Sequence, residues 1–326
     1  MKKSLVILLC FVMVISAMLV GCSGENTPAT LKFGAGVYVS APSATDATAD
    51  KDGSGKIDVT VAAVTVDANG KIVACALDTA SNTVNYTADG KAVAVESFKT
   101  KYELGDSYNM VTYGGAVKEW YAQADAFETV VKGKTLDEVK ALVVEGNKGN
   151  SEVVAAGCTI MINEFVSAIE KAYNTAATSN VTANDTLKVT AATEQTCTDA
   201  TEDKDGSNKV STTVFASAVD ANGKIVAASS DCVEVAFTFT TAGASTLDTT
   251  KAVLSKKEQG DNYNMVTYGG AVKEWYAQAA AFDAACIGKT PAEVAGLMAE
   301  DGKGVDTLKA AGCTIYVSGF VKAASK

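Results

Sequence analysis

Residues 108–124 read Tyr108-Asn-Met-Val-Thr-Tyr-Gly-Gly-Ala-Val-Lys-Glu-Trp-Tyr-Ala-Gln-Ala124, and the same letters return unchanged from Tyr263 to Ala279. At the same offset, Gly133-Lys-Thr135 and Gly157-Cys-Thr-Ile160 return as Gly288-Lys-Thr290 and Gly312-Cys-Thr-Ile315. Upstream, Val66-Asp-Ala-Asn-Gly-Lys-Ile-Val-Ala74 matches Val219 to Ala227, and Asp50-Lys-Asp-Gly-Ser54 matches Asp203 to Ser207, both displaced by two residues relative to the later blocks. One short insertion accounts for the displacement. Two long units are not a solenoid, whose repeats run to about 20–50 residues, so the pattern predicts a tandem domain duplication. The first copy is expected over 31–175 and the second over 186–326. Between them, 176–185 has turn formers and few large apolar residues, as a linker would.

Within each copy the hydrophobic period changes. Ile57 to Val66 partly alternates apolar with polar, Asp67-Ala-Asn-Gly70 turns the chain, and Lys71 to Leu77 returns it. That spacing predicts a β-hairpin with Asn-Gly supplying the positive φ angles. In the second copy Val210 to Val219 and Lys224 to Ala228 repeat it, and Val233 to Thr240 reads as an added, strongly alternating strand. Then Val117, Trp120, Tyr121, Ala124 and Phe127 fall at steps of three and four, which predicts a helix starting after Gly114-Gly115. Thr135 with Glu138 forms a capping box, as does Thr290 with Glu293, where Pro291 takes the first helical position. Gly157 to Ile162 reads as a short closing strand, followed by a helix that carries Phe165, Ile169 and Tyr173; Ser318 and Phe320 mark its counterpart. The fold class expected is α+β: two homologous copies, each an antiparallel sheet with packed helices.

Lys2 and Lys3 precede an apolar run from Leu5 to Val20 that ends in Leu19-Val20-Gly21-Cys22. A basic start, a short apolar stretch and small residues before a cysteine predict a lipoprotein signal over 1–21, with Cys22 as the lipidated residue and 22–30 as a tether. The expected location is the outer face of the cell membrane, held by the lipid. A net charge of -10 argues against a nucleic-acid partner, because nothing neutralises phosphates in number. The chain has no histidine, which excludes Ser-His-Asp and Cys-His catalysis and His-ligated zinc or haem. Of eight cysteines, six remain after Cys10 and Cys22; three bridges are allowed outside the cytoplasm, with connectivity open.

Three segments are candidates for chemistry. Asp50, Asp52 and Asp58 occupy positions of the first half of a calcium loop, but the bidentate carboxylate expected at position twelve is Val61, so a polar turn into a strand is the competing reading. Trp120 and Trp275 can either contact a planar ligand or form the core. Lys118 and Glu119, with Lys273 and Glu274, read as a solvated helix face. The third segment is Gly157-Cys-Thr159 and its copy Gly312-Cys-Thr314, where glycine lets the backbone come close to a phosphate. No catalytic acid pair is visible, and an electron carrier or binding protein is expected rather than an enzyme with turnover of its own.

The hairpin Val-Asp-Ala-Asn-Gly-Lys-Ile-Val, a helical region, and a Gly-x-Thr turn before a closing helix together resemble the FMN-binding domain family of bacterial surface lipoproteins. That resemblance implies FMN as cofactor, with Thr159 and Thr314 as phosphate or phosphoester positions, Gly157 and Gly312 giving clearance, and Trp120 and Trp275 beside the ring. It also implies a flavin transferase and a surface redox partner. Ala156 and Ala311 replace the first hydroxyl of the family motif and Cys158 and Cys313 its alanine, which weighs against the covalent link. The alternative is a non-redox surface module that binds a polymer or protein, duplicated for avidity.

Overall fold

The computed structural model describes residues 29–326; the expected signal sequence, the expected lipidation site Cys22 and most of the expected tether lie outside the described residues. The first half opens with three long strands, β1 (Lys32–Thr45), β2 (Gly53–Val66) and β3 (Ile72–Tyr86), and a short β4 (Ala92–Val93). Helices α1 (Lys101–Leu104), α2 (Trp120–Val131), α3 (Leu136–Lys140), α4 (Ser151–Ala156) and α5 (Asn163–Asn174) follow. After β5 (Ala177–Thr178) the second half repeats the order with β6 (Thr186–Thr198), β7 (Gly206–Val219) and β8 (Ile225–Phe239). It then adds α6 (Lys256–Gln259), α7 (Trp275–Cys286), α8 (Pro291–Val294), α9 (Asp306–Ala310) and α10 (Ser318–Ala324). The fold is mixed α+β, with one antiparallel sheet ordered β4-β3-β2-β1-β5 and another ordered β6-β7-β8.

Strand alternation decides what each sheet face buries. On β2, Ala62, Val64 and Val66 join Trp120, Phe127, Phe165 and Ile169 in a core between the first sheet and its helices. The opposite face, with Ile57, Val59 and Val61, meets Val210, Val214, Val235 and Phe237 of the second sheet. A third core, with Phe215, Trp275, Phe282 and Phe320, joins the second sheet to its own helices. The layers therefore run helix, sheet, sheet, helix, which is why β2 is buried on both faces from Ile57 to Val66.

Contacts across the sandwich are reciprocal. Ala47 N–H donates to the Gly243 carbonyl at 2.8 Å, and Ala200 N–H to that of Gly90 at 2.8 Å. Asp46 accepts from Ser245 N–H and Asp199 from Ala92 N–H, each at 2.9 Å. Tyr86 stacks on Phe239, its own counterpart in the repeat, with centroids 4.5 Å apart. A residue that touches its own equivalent lies on the axis relating the halves, as in an isologous dimer contact.

Several expectations change. The segment 176–185 is not a free linker: Ala177 and Thr178 pair with β1, and Val181 is fully buried against residues of both halves. Its one large apolar side chain is enough to dock it. The hairpin turn uses one left-handed residue, Gly70, while the Asp67 carboxylate accepts from the N–H groups of Asn69 and Lys71. The two strands read after Gly223 are a single one, β8. The stretch from Gly157 to Ile162 is no strand, forming only an isolated bridge between Lys148 and Met161. All six cysteines of the described residues are free thiols, five of them buried.

Candidate functional site

Helix α2 starts at Trp120, not after Gly115, because Glu119 is extended at φ -64° and ψ 160° and stands at the N-cap, while its carboxylate serves the preceding loop. Residues 109–118 form a loop instead. Glu119, expected on a solvated face, clasps that loop: its carboxylate accepts from Met110 N–H at 2.8 Å and Val111 N–H at 3.0 Å. Glu274 does the same for Met265 and Val266, at 2.9 and 3.1 Å. The clasp holds large side chains outward, with Tyr113 85% exposed and Val117 82%, and their copies Tyr268 85% and Val272 87%. Sequence periodicity assigned Val117 to the buried face, and the loop reverses that.

Gly157 caps α4 in the left-handed conformation, and Lys118 lies across it with Nζ 3.5 Å from the Ala156 carbonyl. Gln123, fully buried on α2, joins the two segments. Its Nε2 donates to the Lys118 carbonyl at 2.9 Å, and its Oε1 accepts from Thr159 N–H at 2.8 Å and Thr159 Oγ1 at 3.0 Å. Gln278 makes the same three bonds to Lys273 and Thr314. The structure thus brings the repeated loop and the Gly-Cys-Thr turn into one surface, on which Thr159 and Thr314 are exposed. Gln123 escaped the sequence reading, since a polar residue within a helical aromatic block gives no signal until its partners are known.

Trp120 and Trp275 are core residues, packed edge-on against Phe165 and Phe320 with centroids 5.6 Å apart in each case. They cannot line a ligand without opening that core. Cys158 and Cys313 are likewise fully buried, and burial pushes each thiol up to about 11. Asp50 and Asp52 sit ahead of β2, whereas Asp58 lies within it, accepting from Ser81 Oγ at 2.6 Å and paired with Lys56. Six residues of strand separate Asp52 from Asp58 by about 20 Å at the usual rise. No cluster of three metal-ligating side chains occurs among the described residues.

An acid pair that sequence reading did not find lines a cavity of about 490 Å³ between β3 and β6. Asp78 is 3% exposed, and its Oδ1 accepts from Thr79 N–H at 2.7 Å and Tyr102 N–H at 3.2 Å. Glu128 on α2 accepts from Leu77 N–H at 2.7 Å. Burial raises Asp78 to about 6 and Glu128 to about 7, since a charged carboxylate loses hydration there. Fifty residues part the two in sequence, so only the fold unites them. Compared with protein-family models, curated proteins and solved structures, the chain matches none.

Proposed function

We propose that this chain is a lipid-anchored extracytoplasmic binding protein, built from two copies of one domain, that presents two equivalent contact surfaces to a repeating polymer of sugar rings and amide planes in the cell envelope. The observation that carries this reading is where the two halves agree. Core positions have drifted: Val131 corresponds to Cys286, Val153 to Leu308 and Leu77 to Ser230. Residues 108–118 are nonetheless identical to 263–273, although Val111, Tyr113 and Val117 are exposed and contribute little to any core. Loops ordinarily vary more than the elements they join. Folding accounts for the identity of Tyr108, Met110 and Glu119, which pack on the core or clasp the loop, whereas identity at the exposed Val111, Tyr113 and Val117 fits a shared ligand.

A tyrosine offers a flat apolar face with a polar tip, suited to sugar rings or amide planes. The net charge of -10 disfavours a polyanion. Two sites on one chain suit a ligand with repeating units, because the second contact forms at high effective concentration and raises avidity by roughly 10²–10⁴. The test is co-sedimentation of the full chain with purified, teichoic-acid-free peptidoglycan. Binding is expected to fall steeply in Tyr113→Ala and further in the Tyr113→Ala, Tyr268→Ala double variant, with unfolding temperature unchanged. Retention of binding by the double variant would reject the reading.

A second reading, flavin binding, is favoured by one observation: the exposed Thr159 and Thr314 hydroxyls, at the positions where the resemblance to the FMN-binding motif would put the acceptor, have the Lys118 and Lys273 ammonium groups beside the preceding glycines. FMN would supply the redox chemistry, while these residues would hold its phosphate. Titration with FMN, and coexpression with a flavin transferase followed by in-gel fluorescence, separate the two readings. Fluorescence lost only when both threonines are changed to Ala establishes flavin sites.

A further inference from the structure

The repeat supplies an internal comparison for the acid-lined cavity. In the second half Asp231 and Asp283 stand where the first half has Asp78 and Glu128: Ser230 N–H donates to Asp283 at 2.8 Å as Leu77 N–H donates to Glu128, and Lys257 N–H donates to Asp231 at 3.1 Å as Tyr102 N–H donates to Asp78. One side chain differs in kind. Lys257 turns its ammonium inward, 3.2 Å from Asp283 Oδ2 and 3.0 Å from Ser229 Oγ. Its counterpart Tyr102 carries no charge and points its hydroxyl at Asp125, 2.9 Å away. The first half therefore keeps the carboxylates and lacks the cation that satisfies their copies.

The remaining charges around the cavity do not replace it. Lys326 is committed to Glu103 at 2.8 Å and to the Ala191 carbonyl at 2.7 Å. Lys188 donates to the Lys326 carbonyl, and Lys132, just past the end of α2, is exposed and acts on Glu128 only through its charge, without an ion pair or hydrogen bond to it. Apolar walls come from Ala76, Leu77, Leu187, Val189 and Ala191. A cavity of about 490 Å³ lies within the usual range for small organic ligands, about 300–1,000 Å³, and pairs an apolar body with a few polar anchors, as such sites do.

We propose that the cavity between β3 and β6 binds a small organic primary amine, whose ammonium takes against Glu128 and Asp78 the place that the Lys257 ammonium takes against Asp283, while its alkyl part lies against Leu77, Leu187 and Val189. The site is separate from the loop surfaces and does not depend on their function. Geometry restricts it to one per chain, because in the second half the tethered lysine already occupies the equivalent position.

The test is calorimetric titration of the full chain in detergent at pH 8 with n-pentylamine, with n-pentanol as the uncharged control. The expected result is one amine per chain, bound at least tenfold more tightly than the alcohol. Tyr102→Lys supplies the tethered ammonium of the second half and is expected to abolish binding while raising the unfolding temperature, which also shows that the variant folds. Lys257→Tyr is expected to open a second site and raise the stoichiometry from one to two. Glu128→Gln, which keeps an acceptor for Leu77 N–H, is expected to weaken the amine at least tenfold. Absence of binding at millimolar amine, equal binding of pentanol, or undiminished binding by Tyr102→Lys would each overturn the proposal.

Discussion

At the residue scale buried Asp78 and half-buried Glu128 make the sharpest statement. Asp78 and Glu128 have ordinary values of 3.8 and 4.5 but reach about 6 and about 7 when folded. The folded state thus holds protons that the unfolded state releases, so stability falls as pH rises through that window and levels off above about pH 7. The ionised form bears the burial cost, on the order of a few kcal/mol for the two groups together. Urea unfolding should show Glu128→Gln matching the parent protein near pH 4 and exceeding it at pH 8 by about 1–3 kcal/mol. Equal stability of the two proteins at pH 8 would mean that the Glu128 carboxylate keeps its hydration in the folded protein. Neither carboxyl stood out in the sequence, because nothing local distinguishes Asp78 from a strand-edge aspartate or Glu128 from a solvated helix residue.

Elements show the same division between local and distant causes. Thr135 and Thr290 cap their helices with both capping-box bonds, as their spacing to Glu138 and Glu293 predicts. The three-four period continues backward through Val117, but α2 starts only at Trp120 because Glu119 is extended, at φ -64° and ψ 160°, outside the helical region. Helix α5 lies so close to β1 that a Cβ on Gly36 would sit 2.3 Å from Ala172 N and 2.4 Å from Ala168 O. Gly36→Ala should therefore cost about 1–3 kcal/mol, the usual penalty of forcing atoms into a packed core, despite alanine's better strand entropy. Gly223→Ala, which meets no neighbouring atom, serves as the comparison; its penalty should come from its φ of 76° alone. Thermal melts of both variants check this, and a neutral Gly36→Ala would show that α5 can move away from the sheet.

For the whole molecule the consequence of the shared core is cooperativity. Two domains joined by a flexible linker would unfold independently, but here Ile57, Val59 and Val61 are buried by Val210, Val214 and Phe237. Calorimetry should record one transition for both halves, with equal calorimetric and van't Hoff enthalpies. Phe239→Ala, which removes one ring of the stack on the axis between halves, should lower the stability of the entire chain by about 3–5 kcal/mol. Two resolved transitions, with only one shifted by Phe239→Ala, would refute the shared core.

What the sequence determined by itself was periodic or repeated: the internal repeat, the α+β class, the strand pairs of the hairpins and the capped helix starts. These follow from side chains acting on their immediate neighbours, and local physics is written in spacing. The tertiary structure alone decided that the halves share one sandwich, that both tryptophans are core, that Asp58 stands apart from Asp50 and Asp52, and that Glu128 and Asp78 line one cavity. Those outcomes depend on which faces meet across long stretches of chain, where burial removes water from some groups and leaves others in it. The sign of each such effect is absent from the sequence until the sheets have chosen their partners.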